Sequence, residues 1–482
     1  MSELDTLAKS AWTRVMLLEQ YRDQIREVDR QLLSLIKKRL NIGVELSKVK
    51  QAHDLPTIDA DAERTTMNNL MSSARTLGIN VPFARQLGEL LIEQTIQVQE
   101  NTNPHRSKDQ LLKQIFELAE KLTTEGKKIT RFEIGEPNFV PPKPIVRGLI
   151  SSVQNNRIIG YGPAAGLLEL RQTLARELSR DHNTTIDPDQ ILITPGGRFA
   201  IFATIMSFVS ELERVIIPQP AWPAYEECSM LTKGRVIPIN TTLENGWELD
   251  LSKLENEMRK GARMLVLNNP SNPTGKVVNR KKFHEIVELA RKNSTFVLSD
   301  EVYEKYARSK LPSILEEGYD NSIYVSSFSK RFSLTGWRIA YLVTSKKHAS
   351  RIKRIIQTAV TCVPEFVQRA AVFALKEGKA EAQRNISKIL SKLDLTCNEL
   401  DKIEVEFYKP EGAFYVFPRS KKKNFDSIKF AMQLLEERQI SISPGQSFGN
   451  YPAFFRLAVS LPKPVISKAI QSIGQAIESW PE

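Results

Sequence analysis

The sequence predicts two domains of different class: an all-α domain of about 100 residues, then an α/β domain with a mostly parallel sheet and a small α+β subdomain. Three observations predict this. The stretch Leu7–His53 has no proline, one glycine and a seven-residue apolar repeat. A polar segment containing Pro104 follows at 103–107, and beyond it short β-branched runs alternate with helical stretches. The boundaries read from these changes are 1–102, a linker at 103–107, and 108–482, the last with a large part at about 145–350 and a small part at about 108–144 plus 351–482.

The seam of the first helix runs through Tyr21, Ile25, Val28, Leu32, Leu35, Ile42, Leu46 and Val49. At about 1.5 Å per residue the helix would be roughly 70 Å long, more than a small monomeric domain can cover, so a partner subunit is implied. Two shorter helices are expected at 60–77, capped by Asp59 or Asp61, and at 83–101 after Pro82. In the second domain the strands expected are Gln190–Thr194, Arg214–Ile217, Met264–Leu267, Thr295–Leu298 and Ser322–Val325. A long helix after Arg351 and strands over Phe407–Phe417 and Phe454–Ser460 make the small subdomain.

Charge and cysteine usage narrow the function classes. Of the formal +12, residues 1–100 contribute nothing, with 13 Lys and Arg against 14 Asp and Glu. A nucleic-acid-binding domain wants a basic face on short helices, so a transcription regulator is disfavoured and no nucleic-acid partner is expected. Cys228, Cys362 and Cys397 lie far apart with five histidines in the chain, which suggests neither a disulfide framework nor a metal site and fits a reducing cytoplasm. No run of eighteen apolar residues occurs, so no membrane partner is expected.

Chemistry concentrates in an ordered series in the second domain: Gly135-Glu136-Pro137, Tyr161 with Gly166 and Leu170-Arg171, Thr194-Pro195-Gly196-Gly197-Arg198, Trp222 with Tyr225, Asn268-x-Pro270-x-Asn272-Pro273-Thr274-Gly275, Asp300-Glu301-x-Tyr303, Ser327-Phe328-Ser329-Lys330 through Gly336-Trp337-Arg338, and Arg456. A lysine beside serines alone is bland. The whole series resembles the class I/II, fold-type I aminotransferases over about residues 105–482, which use pyridoxal 5′-phosphate. That cofactor needs an amine to hold its aldehyde and to move a proton, the part of Lys330. It also needs a carboxylate against its ring nitrogen, for which Asp300 at a strand end is suited. Gly197 and Arg198 at a helix start, with Ser327 and Arg338, offer an anion cradle for the phosphate. By the resemblance, Asn272 and Tyr303 bond the cofactor's phenolic oxygen and Trp222 stacks on its ring. Tyr161 reaches the phosphate from the neighbouring subunit, while Arg456, with Gly135, takes the substrate α-carboxylate.

In the first helix Arg39 occupies a seam position between Leu35 and Ile42, and Lys50 lies three turns on along the same face. A cation in an apolar seam must be paired or must serve an anionic ligand, although one that fixes register is the plain alternative. Arg22, Asp29, Arg39 and Lys50, then Asp59 and Glu63, then Thr95 and Gln99, resemble the all-helical chorismate mutases over about residues 10–102. The resemblance implies that Arg22 and Arg39 clamp the two carboxylates of chorismate, with Arg22 entering the partner's site. Lys50 and Gln99 meet the ether oxygen as it gains charge, and Asp59, Glu63 and Thr95 hold the rest. Where the family has an arginine before the glutamate, this chain has Ala62.

Together these imply a homodimeric bifunctional enzyme: chorismate to prephenate, then transamination of prephenate, phenylpyruvate or 4-hydroxyphenylpyruvate with a donor such as glutamate or aspartate. The alternative keeps an aspartate-type aminotransferase and makes the helical domain a non-catalytic sensor of chorismate or prephenate.

Overall fold

The computed structural model describes residues 3–52, 60–102, 108–155 and 160–481, and the chain divides into two compact units, Met1–Arg106 and Ser107–Glu482. The first unit is α1 (Glu3–Ala52), α2 (Ala60–Thr76) and α3 (Val81–Thr102). The α2–α3 turn uses Gly78 at φ 67°, a backbone state open to glycine, and Asn80 caps α3 by accepting from Phe83 N at 3.0 Å. α3 therefore starts two residues before the expected 83. Of the two expected caps of α2, Asp59 lies outside the described residues.

Contacts between α1 and α3 climb together along both helices, from Arg39 at Leu91 and Thr95 to Ser47 at Gln99, so the C-terminal half of α1 runs parallel to α3. Gly43 permits the approach: a Cβ there would stand 2.8 Å from Thr95 Cγ2. The apolar seam, in contrast, is uncovered within the chain, with Tyr21, Ile25, Val28, Leu32, Leu35, Ile42, Leu46 and Val49 between 43 % and 66 % exposed.

The second unit opens with α4 (Lys108–Thr124), β1 (Thr130–Arg131), α5 (Lys143–Asn155) and α6 (Leu168–His182). A strand–helix alternation follows: β2 (Ile191–Thr194), α7 (Gly197–Phe208), β3 (Arg214–Gln219), α8 (Ala224–Leu231), β4 (Arg235–Asn240), α9 (Leu251–Arg259), β5 (Ala262–Asn268), α10 (Arg280–Lys292), β6 (Phe296–Asp300), β7 (Ser322–Ser327), α11 (Phe328–Arg331) and β8 (Ala340–Thr344). These strands form one sheet in the order β2-β8-β7-β6-β5-β3-β4, in which β8 alone runs against its neighbours. Alternate residues supply two cores. Ile216, Leu265 and Val297 face α5, α6 and α10, while Val215, Met264 and Leu298 face α7.

Two strands escaped the sequence reading. β4 is an edge strand interrupted by Pro238, the position where a sheet tolerates proline. β8 begins two residues after Arg338, so its apolar run is masked by the motif before it. After it come α12 (Lys346–Val360), α13 (Glu365–Glu377) and α14 (Lys379–Leu400), where one long helix was expected; Pro364 and Gly378 break it.

The small part holds β9 (Val405–Glu406), β10 (Tyr415–Val416), β11 (Arg419–Ser420), α15 (Ser427–Arg438), β12 (Ile440–Ser441), β13 (Ser443–Pro444), β14 (Phe455–Ala458) and α16 (Lys463–Glu478). Strand is confined to Tyr415–Val416 within the expected Phe407–Phe417, since Pro410 and Gly412 pack instead against Gly275 and Pro270. The expected start of the small part at 351 needs moving as well. Ile352 and Ile356 of α12 join one sheet core and Val367 and Ala370 of α13 the other, and the change of core falls within α14, between Ala382 and Leu393.

Candidate active site

The C-terminal ends of the parallel strands deliver the motif residues to one cavity of about 460 Å³, as open α/β sheets generally do. β7 ends at Ser327, whose Oγ caps α11 by accepting from Ser329 N at 3.1 Å, and the single turn of α11 turns Lys330 into the cavity. Lys330 Nζ donates to the carbonyl of Gly135. Burial pushes its ammonium down to about 8, against the pull of Glu136 and Asp300. Gly135 lets Tyr415 approach closely, since a Cβ there would stand 2.6 Å from Tyr415 Oη and force that side chain to shift.

Asp300 closes β6, and burial raises its carboxyl to about 6 although Tyr225 Oη donates to Oδ2 at 2.6 Å and Val302 N to Oδ1 at 3.3 Å. Asn268 lies beside it in register, donating to the Asp300 carbonyl at 2.9 Å and accepting Asn272 N at 2.7 Å. Arg456 on β14 has both terminal nitrogens engaged, and Nε is without a hydrogen-bond partner. Nη1 donates to Asn272 Oδ1 at 3.0 Å, Nη2 donates to Glu133 O at 2.6 Å and Ser443 Oγ at 3.1 Å, and the guanidinium lies between the rings of Tyr415 and Phe448 at 4.7 and 5.0 Å. Asn272 thus spends its oxygen on Arg456 and keeps its amide nitrogen for another partner. Tyr303 lines the same cavity, its hydroxyl 2.7 Å from that of Tyr415.

Gly196, at φ 90°, precedes α7, and a Cβ there would stand 2.4 Å from Arg338 Nη2. A Cβ on Gly197 would lie 3.9 Å from Ser327 Cβ. Helix start, cation and hydroxyl therefore converge. Arg198 lies over the Trp222 ring at 4.8 Å, both lining the cavity. Tyr161 does not line it: the side chain is 91 % exposed.

In the helical unit Arg39 Nη1 donates to Leu91 O and Thr95 Oγ1, and Thr95 Oγ1 donates to Leu91 O at 2.7 Å. Gln99 is buried one turn further, its carbonyl accepting Ser47 Oγ at 3.2 Å. Lys50 and Glu63 are partly exposed. Arg22 is not brought to this group. It is exposed, paired with Glu19 at 2.6 Å, and lies 17 residues before Arg39, roughly 26 Å along α1.

Comparison with known proteins decides the family, for the model described as "Aminotransferase class I and II" matches residues 127–473. The chain belongs to the class I and II aminotransferases. A second model, "Chorismate mutase type II", matches residues 21–100, so this aminotransferase carries a chorismate mutase domain ahead of it. It is 30 % identical over 364 residues to an aspartate aminotransferase of Thermotoga maritima, covering 75 % of this chain and 94 % of that one. It is 30 % identical over 373 residues to a protein of Aquifex aeolicus named "Probable aspartate/prephenate aminotransferase", with the same coverage. The crystal structure of the Thermotoga aspartate aminotransferase superposes with a TM-score of 0.72 at 29 % identity, covering 77 % of this chain and 97 % of that one.

The family uses pyridoxal phosphate, and the donor set of this aminotransferase fits it. A buried carboxylate, a lysine with a depressed ammonium, and a glycine helix start beside an arginine are what a ring nitrogen, an aldehyde and a phosphate require. The sequence reading gave Tyr225 and Tyr415 no role. It also missed Leu112, Lys113 and Phe116 of α4, which line the cavity. α4 buries Ile115, Ala119 and Leu122 in the small core, and the adjoining stripe of the same helix faces the site. Helical periodicity identifies the buried stripe, but only the tertiary fold says what the neighbouring stripe meets. No helix among the described residues is long and apolar enough to cross a membrane.

Proposed function

We propose that the chain is a bifunctional enzyme that rearranges chorismate to prephenate in its helical unit and transaminates prephenate, phenylpyruvate or 4-hydroxyphenylpyruvate, with glutamate or aspartate as donor, in its second. The observation that carries this reading is the presence of both families in one chain, since prephenate is a 2-keto acid and so belongs to the substrate class of a transaminase. The name of the Aquifex relative supports a prephenate acceptor.

In the transaminase, pyridoxal phosphate when bound supplies the electron sink. Lys330 Nζ would hold its aldehyde and would carry a proton from the amino acid's Cα. An ammonium lowered toward 8 makes the free amine accessible near neutral pH. Asp300 fixes a proton on the ring nitrogen, and Tyr225 holds Asp300 in place. Trp222 would cover the ring, Asn272 and Tyr303 would hold its oxygen, and Gly197, Arg198, Ser327 and Arg338 would cradle the phosphate. Arg456, with Gly135, takes the α-carboxylate: burial draws its guanidinium below its ordinary value, and Nε is buried without a hydrogen-bond partner, so an anion there gains more than it would in water. Tyr161, exposed in its own chain, completes the partner subunit's site.

In the mutase no group exchanges a proton with the substrate. Arg39, and Arg22 from the partner, hold the two carboxylates so that the reacting carbons meet. Lys50 and Gln99 donate to the ether oxygen as it takes up charge, and Asp59, Glu63 and Thr95 fix the opposite side.

The second reading, a sensor in place of the mutase, is favoured by one observation: within the chain Arg39 is occupied by Leu91 and Thr95, and Ala62 stands where the family places an arginine. Incubating the protein with chorismate, pyridoxal phosphate and glutamate or aspartate separates the two. Chorismate loss with formation of arogenate is expected where prephenate is the acceptor, and phenylpyruvate or 4-hydroxyphenylpyruvate supplied in place of chorismate should give phenylalanine or tyrosine; chorismate bound but unconsumed selects the sensor.

A further inference from the structure

Tyr415 joins the two halves of the transamination site. It is 1 % exposed on β10, where it pairs with Ala458 of β14, the strand that carries Arg456. Its ring lies against the Arg456 guanidinium at 4.7 Å, and its hydroxyl approaches two groups on the cofactor side, Tyr303 Oη at 2.7 Å and Gly135 O at 3.4 Å. The same Gly135 carbonyl takes the Lys330 ammonium.

A phenol has one proton to give. If Tyr415 donates to Gly135 O, it must accept the proton of Tyr303; if it donates to Tyr303, the Tyr303 proton is free to point elsewhere. A donor 3.4 Å from Gly135 O gains little there, whereas the Tyr303 hydroxyl stands at 2.7 Å. The 2.7 Å contact accommodates either proton, and the arrangement in which Tyr415 donates leaves the Tyr303 proton for the cofactor.

We propose that Tyr415 is a positioning residue of transamination, whose hydroxyl donates to Tyr303 and so aims the Tyr303 proton at the cofactor's phenolic oxygen, while its ring holds Arg456 for the substrate carboxylate. This rests on the assignment of Lys330 and Tyr303 to the cofactor made above. Two phenols in series polarise each other, so the outer hydroxyl strengthens the donation of the inner one.

The test is a pH titration of the bound cofactor's visible absorbance in the full-length holoenzyme. Tyr415→Phe keeps the ring and removes the hydroxyl. Its midpoint should rise by about half to one unit, the effect of one neutral hydrogen bond, while the Kd for maleate, read from the same spectrum, changes less than about twofold. Tyr415→Leu, which removes the ring as well, should raise both. A Tyr415→Phe midpoint within about 0.2 unit of the unmodified enzyme overturns the proposal, as does a shift matched by an equal loss of maleate affinity, which marks simple packing. Absence of a pH-dependent band in the unmodified enzyme, or its survival in Lys330→Ala, brings down the site assignment and this inference together.

Discussion

Lys330 and Glu301 show how burial acts on two ionisable residues of opposite charge type. Lys330 loses part of its proton affinity to burial and keeps a partner in the Gly135 carbonyl, a compromise suited to a group that must exist as a free amine. Lys330→Ala should lower transamination by about 10²–10⁴-fold or more and remove the lysine-dependent absorbance, with chorismate turnover unchanged. A variant that transaminates at the original rate removes Lys330 from the mechanism. Glu301, beside Asp300, is pushed by burial from an ordinary 4.5 to about 8, although Ser299 Oγ and Ile314 N donate to its Oε1 at 2.8 and 3.0 Å. The folded chain therefore holds a proton that the unfolded chain releases, and stability falls as pH rises between 4.5 and 8. The slope from this one group is at most about 1.4 kcal/mol per pH unit. Glu301→Gln keeps the acceptor for Ser299 and Ile314 and should flatten the dependence of Tm on pH in that window. An unchanged slope would show that Glu301 is ionised when folded.

At the scale of elements, the glycine-dependent approach of α1 and α3 is the most exposed point of the helical unit. Gly43→Ala would gain about 1 kcal/mol of helix propensity elsewhere, but here the new Cβ lies 2.8 Å from Thr95 Cγ2, on a side chain held by Arg39. Gly43→Val should destabilise this unit by about 1–3 kcal/mol and lower chorismate turnover, with calorimetry showing the second unit's transition unmoved. Retained mutase activity and an unshifted first transition would mean that the helices can separate at no cost. The same contact marks the limit of what the sequence tells. The α1 seam and the alternation of β3, β5, β6 and β7 are periodic signals, and the Lys330, Asp300 and Gly196-Gly197 motifs are local in the chain, so all of these were legible. The parallel seating of α1 on α3 through Gly43, the pairing of Tyr225 with Asp300, and the meeting of Tyr415, Tyr303 and Arg456 join residues far apart in the chain, and no short-range pattern reports them. Proline in β4 and a motif abutting β8 hid two strands for the opposite reason, that local chemistry spoke against an element the sheet imposes.

For the whole molecule, the proposed two-fold partner would have to satisfy both units at once. The uncovered seam from Tyr21 to Val49 is an apolar stripe too long for the rest of its own unit to bury, and the exposed Tyr161 is assigned to a neighbouring chain's phosphate site. A chain with two self-complementary surfaces closes as a dimer when both pair with the same partner, and builds larger or open assemblies when they pair with different ones. We expect the closed dimer, because a bounded assembly needs no further contact surface. Ile25→Glu combined with Leu32→Glu places two charges in the seam and should separate the helical units, since burying an unpaired carboxylate there is costlier than leaving the seam open. The aminotransferase units would still hold the dimer. Sedimentation should therefore report two chains before and after the change, with chorismate turnover falling at least about 100-fold, because Arg22 no longer reaches the partner's site, and with transamination kept. A fall to one chain would make the α1 seam the sole interface and leave Tyr161 without a partner to serve; undiminished chorismate turnover would show that each helical unit is complete alone and that Arg22 has no part in it.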